Sequence, residues 1–135
     1  AFDVISTRST RREPRTAIGM ISPLHYVLIV ADGRQPGYSD GMTLPELQSL
    51  MVQYGAQVAL NLDGGGSTTI GATYPTDSAL GVLNKPSDGS QRANSVAIFL
   101  ATETKATGEL GSLYVTPVGH YLLLTASRKK RGEKP

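Results

Sequence analysis

The residues best suited to chemistry lie in one short stretch near the middle of the chain. Asp63 ends an apolar run and is followed by Gly64, Gly65 and Gly66, and then by the hydroxyl of Ser67. Consecutive glycines cost backbone entropy and supply no side chain, so they favour a loop that needs unusual dihedral angles or a close approach to the main chain. The bare N–H groups of such a loop can bind an anion, with Asp63 beside it as a base or nucleophile. The alternative interpretation is a glycine-rich turn with a solvated aspartate.

Two further polar loops, 32–43 and 84–92, adjoin predicted core strands and add groups of the same kind. Their carboxylates Asp32 and Asp88 are candidates for a base, a nucleophile or an acceptor for sugar hydroxyls. If the strand ends bring the three loops together, they form an anion-recognising cleft with acid–base groups. Ordinary Asp-Gly turns, and a simple ion pair between Asp88 and an arginine, are the alternatives. The arginines able to form the paired hydrogen bonds that a phosphate prefers are Arg15, Arg34 and Arg92.

Several other chemistries are not favoured by the sequence. The chain has no cysteine, which excludes thiol catalysis and cysteine-based metal sites in this sequence. A serine triad needs a nearby histidine, and both histidines, His25 and His120, fall in predicted strands. No nucleotide-binding P-loop pattern occurs. We therefore expect no cofactor, although aspartates in loops leave a divalent cation open as an alternative.

The size and charge of the chain indicate its general class. Its 135 residues fit one domain with a real core. No apolar run approaches the roughly 20 residues of a membrane span, and no signal-peptide pattern is visible. The basic residues concentrate near the two ends, and the basic run 128–131 has no interleaved aromatic residue. We therefore expect neither a nucleic-acid module nor a membrane span.

The clearest local signal is a helix over 44–54. Thr43 and Glu46 form a capping-box pattern, Pro45 fits the first turn, and Gly55 stands where a helix would stop. Apolar residues recur between them at helical spacing. Strands are predicted at 16–22 and 25–31 as a hairpin, at 57–62, at 94–101, and in a hairpin around 117–119.

These elements predict an α/β (α+β) fold with a mixed sheet, one main helix, and loops at the strand ends that form the site. The order strand, helix, strand over 25–62 indicates a βαβ-like crossover. We expect a mobile or linker segment over 1–13, a core over 14–101, and a hairpin with a basic tail over 102–135.

Five motifs occur in order and carry a family resemblance. They are Pro14 to Gly19, Asp32 to Ser39, Gly41 to Leu44, Leu60 to Ser67 and Asn84 to Gly89. Together they resemble the phosphodiester glycosidase domain, over roughly residues 14–101.

The resemblance implies an α/β domain that hydrolyses a sugar joined through its anomeric carbon to a phosphodiester, such as an N-acetylglucosamine-1-phosphodiester. Asp63 is then expected to activate water or attack the anomeric carbon, with Asp32 and Asp88 as the other catalytic candidates. Arg15 and Arg34 are expected to hold the phosphate. The remaining candidate contacts to substrate are Thr16, Ser39, Gly41, Thr43, Gly64, Gly65, Gly66, Ser67 and Arg92.

The chain also departs from the family pattern. Family members usually carry an Asn-Gly-Gly-Phe-Phe-type motif upstream, so we expect a domain that is incomplete at its N-terminal side and a second chain as a candidate partner for that half. One alternative function is an inactive half-domain that binds phosphorylated glycan or acts as a structural subunit. Another is a metal-dependent phosphoesterase that uses Asp32, Asp63 and Asp88. The resemblance favours a secreted or cell-surface location.

Overall fold

The computed structural model describes residues 10–73 and 79–100, together with the backbone of two strands near the end of the chain. It shows a mixed α/β structure, as expected, in which every hydrogen-bonded pair of neighbouring strands that the structure describes is antiparallel. The elements are β1 (Arg15–Ser22), β2 (His25–Ala31), α1 (Leu44–Gln53), β3 (Val58–Asn61), a 3₁₀ turn (Gly65–Ser67), β4 (Gly71–Ala72), β5 (Gly81–Val82), β6 (Tyr114–Val118) and β7 (Tyr121–Ser127).

The main sheet has five strands in the order β3-β1-β2-β7-β6. The predicted hairpin of β1 and β2 is confirmed, with Arg15 opposite Ala31 at its open end. β3 pairs with the other side of β1, so β2 and β3 run in the same direction with β1 between them. The crossover through α1 therefore skips one strand. The hairpin predicted around 117–119 is confirmed as β6 and β7, and β7 pairs with the full length of β2.

The helix forms where its capping signals predict it. The Thr43 side chain accepts a hydrogen bond from the Glu46 backbone N–H, and the Glu46 carboxylate accepts one from the Thr43 N–H. The helix ends before Gly55, which adopts φ +79°, a left-handed angle that glycine reaches at little cost. Within the described residues, no helix is long and apolar enough to cross a membrane.

The core lies on both faces of β2, which explains why that strand is almost wholly apolar. Val27 and Ile29 are fully buried and pack with Leu50 and Met51 of α1. Val30 points to the other face, where it packs with a smaller cluster that contains Ile70. Strand alternation thus supplies apolar side chains to two layers.

The strand predicted at 94–101 is wrong for the residues that the structure describes. Residues 94–100 have no strand structure, and Val96 and Phe99 are 79% and 76% exposed. The composition of the segment is β-prone, but a strand requires a neighbouring strand to accept its backbone hydrogen bonds. No described strand pairs with this segment.

We expect Thr43→Ala to lower the free energy of unfolding by about 1 kcal/mol, because it removes the side-chain acceptor at the N-cap. Thr43→Ser keeps that oxygen and should stay within a few tenths of a kcal/mol of the parent. Urea denaturation followed by circular dichroism measures both. Equal losses in the two variants would contradict a capping role for the hydroxyl.

Candidate functional site

The three polar loops do meet, and Asn84 joins them. Its Nδ2 donates to Asp32 Oδ1 at 2.9 Å and to the Thr68 carbonyl at 3.0 Å, while its Oδ1 accepts from the Ile70 N–H at 2.9 Å. One side chain thus connects the loop 84–92 to the end of β2 and to the segment after the glycines. Sequence reasoning did not single out Asn84 as a site residue, although Asn84 begins one of the five motifs that carry the family resemblance.

Asp32 lies beneath this junction and is 5% exposed. Besides Asn84, its carboxylate accepts from the Tyr38 hydroxyl at 2.9 Å and from the Lys85 N–H at 3.0 Å. The pKa of Tyr38 is raised by burial, and further by its hydrogen bond to Asp32, so the phenol remains a donor. The Ser39 hydroxyl is also buried and donates to the Asp32 carbonyl at 2.6 Å. This geometry favours a structural role for Asp32 over the predicted catalytic one, and a structural role for Ser39 over the predicted contact with substrate.

The N–H groups of the glycine loop are largely used within the protein. The Gly64 N–H donates to Asp63 Oδ1 at 2.9 Å, the Gly65 N–H to the Pro14 carbonyl at 3.0 Å, and the Ser67 N–H to the Gly64 carbonyl at 3.2 Å. These three N–H groups are therefore not bare in this structure, and the binding of an anion by the loop stays a prediction.

Glycines are needed in this loop because side chains from the other loops lie close to its backbone. A Cβ on Gly65, which has φ +61°, would lie 3.2 Å from Arg34 Nη1. A Cβ on Gly66 would overlap the Arg92 guanidinium and the Asp88 carboxylate. The glycine loop is thus the floor on which groups from both other loops rest.

Arg34 reaches the floor from the loop after β2. Its Nε donates to Glu13 Oε2 at 2.5 Å, and the arginine side chain is 53% exposed. The hydrogen bond from Arg34 is the main cause that lowers the pKa of Glu13; nearby arginine charges also lower it, and burial opposes them. Sequence reasoning missed Glu13, since its partner lies 21 positions away and only the fold brings the two together.

Arg92 reaches the floor from the loop 84–92 but is already paired. Its Nε and Nη2 donate to Asp88 Oδ2 at 2.9 and 2.6 Å, and its Nη1 lies 3.5 Å from Ser67 Oγ. The simple ion pair considered from the sequence is therefore present. Asp88 and Arg92 stand together above Gly66 as a nearly neutral unit.

The other candidate binding residues hold the surrounding backbone. Arg15 is 9% exposed, and its Nε and Nη2 donate to the carbonyls of Met42 and Arg11 at 2.9 and 2.8 Å. Its burial is the main cause that lowers its pKa. Thr43 caps α1. The Thr16 and Thr68 hydroxyls lie 3.4 Å apart.

Asp63 differs from Asp32 in being exposed at the start of the floor. One oxygen accepts from the Gly64 N–H, and the other makes no hydrogen bond to any residue that the structure describes. A carboxylate with a free oxygen is thus followed along the loop by the Arg34 guanidinium over Gly65 and by the Asp88–Arg92 pair over Gly66. Such a set can activate a nucleophile and bind an anion at neighbouring positions.

Two other features of the structure bear on the site. A groove of about 590 Å³ lies beside the loop 37–42 and contains the Arg12–Glu46 ion pair, but the glycine loop does not line it. Across the described ranges, no three histidine, aspartate or glutamate side chains are grouped so that they could hold a metal ion.

Comparison with models of known families identifies a match. A family model described as "Phosphodiester glycosidase" matches residues 3–101, which include every loop of the site. Neither the curated proteins nor the solved structures gave a match.

We expect Asp32→Asn to lower the free energy of unfolding by about 1–3 kcal/mol, because an amide has one acceptor oxygen where three donors now converge. Asp40→Asn is the matched control, since Asp40 is an exposed aspartate of the same loop and should change stability by less than about 0.5 kcal/mol. Chemical denaturation measures both variants. A similar effect at the two positions would contradict the structural role of Asp32.

We expect the Glu13 carboxyl to titrate below its ordinary pKa of about 4.3 in a ¹³C NMR titration, and Arg34→Ala to return it towards that value. Because the pKa is lower in the folded state, the ionised pair stabilises the fold above the unfolded-state pKa. That stability is lost as the pH falls through the lower, folded-state pKa. The Glu46 carboxyl is the internal control: its pKa is lowered mainly by hydrogen bonds from Thr43 and should not respond to Arg34→Ala. A Glu13 midpoint unaffected by Arg34→Ala would contradict the pairing.

Proposed function

Because the chain belongs to the phosphodiester glycosidase family, we propose that it hydrolyses the bond between the anomeric carbon of a sugar and a phosphodiester. The observation that supports this best is the exposed carboxylate of Asp63, which lies at the start of a glycine floor covered by the Arg34 guanidinium. An acid–base group and an anion receptor therefore occupy adjacent positions. These are the two functions that cleavage beside a phosphate requires.

In the proposed reaction, the oxygen of a water molecule ends on the anomeric carbon. Asp63 either deprotonates that water or attacks the carbon first and is then released by water. The bond from the anomeric carbon to the phosphate oxygen breaks, and its electron pair leaves with the phosphate. The products are the free sugar and a phosphomonoester, and the proton lost by water ends on the phosphomonoester or in solvent.

The leaving group explains why the site can work with few acids. A departing phosphomonoester carries its own negative charge, so a guanidinium that binds it stabilises the charge that develops in the transition state. Arg34 is the arginine suited to this, because it is exposed and rests on Gly65. The Asp88–Arg92 pair borders the same floor and is suited to hydrogen-bond sugar or phosphate oxygens.

A labelled-water experiment tests the bond that breaks. The purified chain is incubated with methyl N-acetylglucosamine-1-phosphate diester in H₂¹⁸O, with and without EDTA, and the products are analysed by mass spectrometry. We expect release of methyl phosphate that carries no ¹⁸O in both conditions, because cleavage between the anomeric carbon and its oxygen places the oxygen of water on the sugar. Label in the phosphate, with release sensitive to EDTA, would instead indicate a metal-dependent phosphoesterase. Binding without turnover would indicate a phosphoglycan-binding domain.

We expect Asp63→Asn to lower kcat at least about 100-fold, because the amide can still accept the Gly64 hydrogen bond but can act neither as a base nor as a nucleophile. Asp40→Asn, which changes an exposed aspartate away from the glycine floor, is the control and should stay within about twofold of the parent. Steady-state release of the phosphomonoester measures both. An Asp63→Asn protein with undiminished turnover would eliminate Asp63 as the catalytic group.

A further inference from the structure

Arg34 and Arg92 both rest on the glycine floor, but they differ in how much of the guanidinium is free. In Arg92, both Nε and Nη2 donate hydrogen bonds to Asp88. In Arg34, only Nε donates a hydrogen bond to a described residue, which is Glu13. Its Nη1 and Nη2 lie 3.2 and 3.3 Å from the position that a Cβ on Gly65 would occupy, and neither makes a hydrogen bond within the described part of the chain.

Two hydrogen bonds to Met42 fix the position of the Glu13 backbone. Its N–H donates to the Met42 carbonyl at 3.3 Å, and its carbonyl accepts from the Met42 N–H at 3.0 Å. Gly41, at φ +98°, permits this contact, because a Cβ there would lie 2.5 Å from the Glu13 carbonyl oxygen. A loop glycine and two backbone hydrogen bonds thus hold the backbone of Glu13 where its side chain can reach Arg34.

We propose that Glu13 is a positioning residue of the site: by accepting the Nε proton of Arg34, it presents Nη1 and Nη2 as a two-donor fork to the oxygens of one phosphate above Gly65. An exposed arginine otherwise occupies many rotamers and loses that freedom when it binds. A guanidinium held by one edge retains a second edge for bidentate recognition of an anion. Arg34 lowers the pKa of Glu13, so the carboxylate stays ionised at neutral pH.

The same carboxylate also opposes binding, because its charge partly cancels that of Arg34. The two effects predict opposite results when Glu13 is changed. If positioning dominates, removal of the carboxylate weakens phosphate binding. If charge cancellation dominates, removal strengthens it.

Phosphate binding tests the proposal without any turnover. Inorganic phosphate and methyl phosphate are titrated into the full ¹⁵N-labelled chain, and the arginine Nε–Hε signals report binding. We expect Glu13→Ala to weaken binding about tenfold. Glu13→Gln keeps an acceptor for Nε and should recover much of that loss. Equal or tighter binding by Glu13→Ala, or equal losses in the two variants, would overturn the proposal.

Two controls separate positioning from a general change in the protein. Glu46→Gln removes the same charge from the Arg12 ion pair, keeps a side chain suited to the capping box, and should change phosphate binding less than twofold. In an Arg34→Ala background, Glu13→Ala should have no further effect, since the two residues then act as one unit. An additional loss in that background would overturn the proposal.

The inference rests on the proposed function only in identifying the anion as the substrate phosphate. If the chain turns over a phosphodiester, we expect Glu13→Ala to raise KM with kcat within about threefold, because uniform binding is lost. A chain that hydrolyses nothing but shows the expected phosphate affinities would contradict the proposed function and leave Glu13 as the positioning residue. Turnover with unchanged phosphate affinities would do the reverse.

Discussion

The arrangement of the loops depends on one buried carboxylate. Removing a charged carboxylate from water is costly unless its oxygens are hydrogen-bonded, and Asp32 meets this requirement with donors from Tyr38, Asn84 and Lys85. Tyr38 belongs to the loop after β2, and the other two donors belong to the loop 84–92. The bonds that make the burial of Asp32 tolerable therefore also fix the separation of those two loops. The exposed groups above them take their positions from this buried contact.

The site has two layers of polar groups, which differ in whether they are hydrogen-bonded within the protein or exposed. The lower layer consists of polar groups whose hydrogen bonds are satisfied within the protein, among them Asp32 and Arg15. The upper layer is exposed and contains Asp63, Arg34 and the pair at 88 and 92. The glycine loop separates the layers, and its lack of side chains lets guanidinium and carboxylate groups lie directly on backbone. A methyl group at these positions would occupy the space that the upper layer uses.

The segment 94–100, which follows the site, shows that local β-strand propensity does not by itself produce a strand. Residues 94–100 are rich in β-branched and aromatic side chains but have no strand structure. The outer edge of β3 has no partner among the described strands, and Val58 and Leu60 on it are 59% and 62% exposed. The segment 94–100 and the outer edge of β3 do not pair with each other. Sheet formation is a property of two segments at once, so composition alone did not decide the outcome.

The sequence by itself determined the helix, the first hairpin, the close approach required of the glycines and the three loops that supply the polar groups. These features follow from short-range rules: capping, alternation, and the steric freedom of glycine. Only the tertiary structure decided which polar groups are hydrogen-bonded inside the protein and which remain exposed. It buried Asp32 and left Asp63 in solvent, although both aspartates end an apolar run and precede a glycine. It also brought Glu13 to Arg34. The physical reason is that desolvation and hydrogen bonding act between residues far apart in the chain, and no local pattern records which groups will meet.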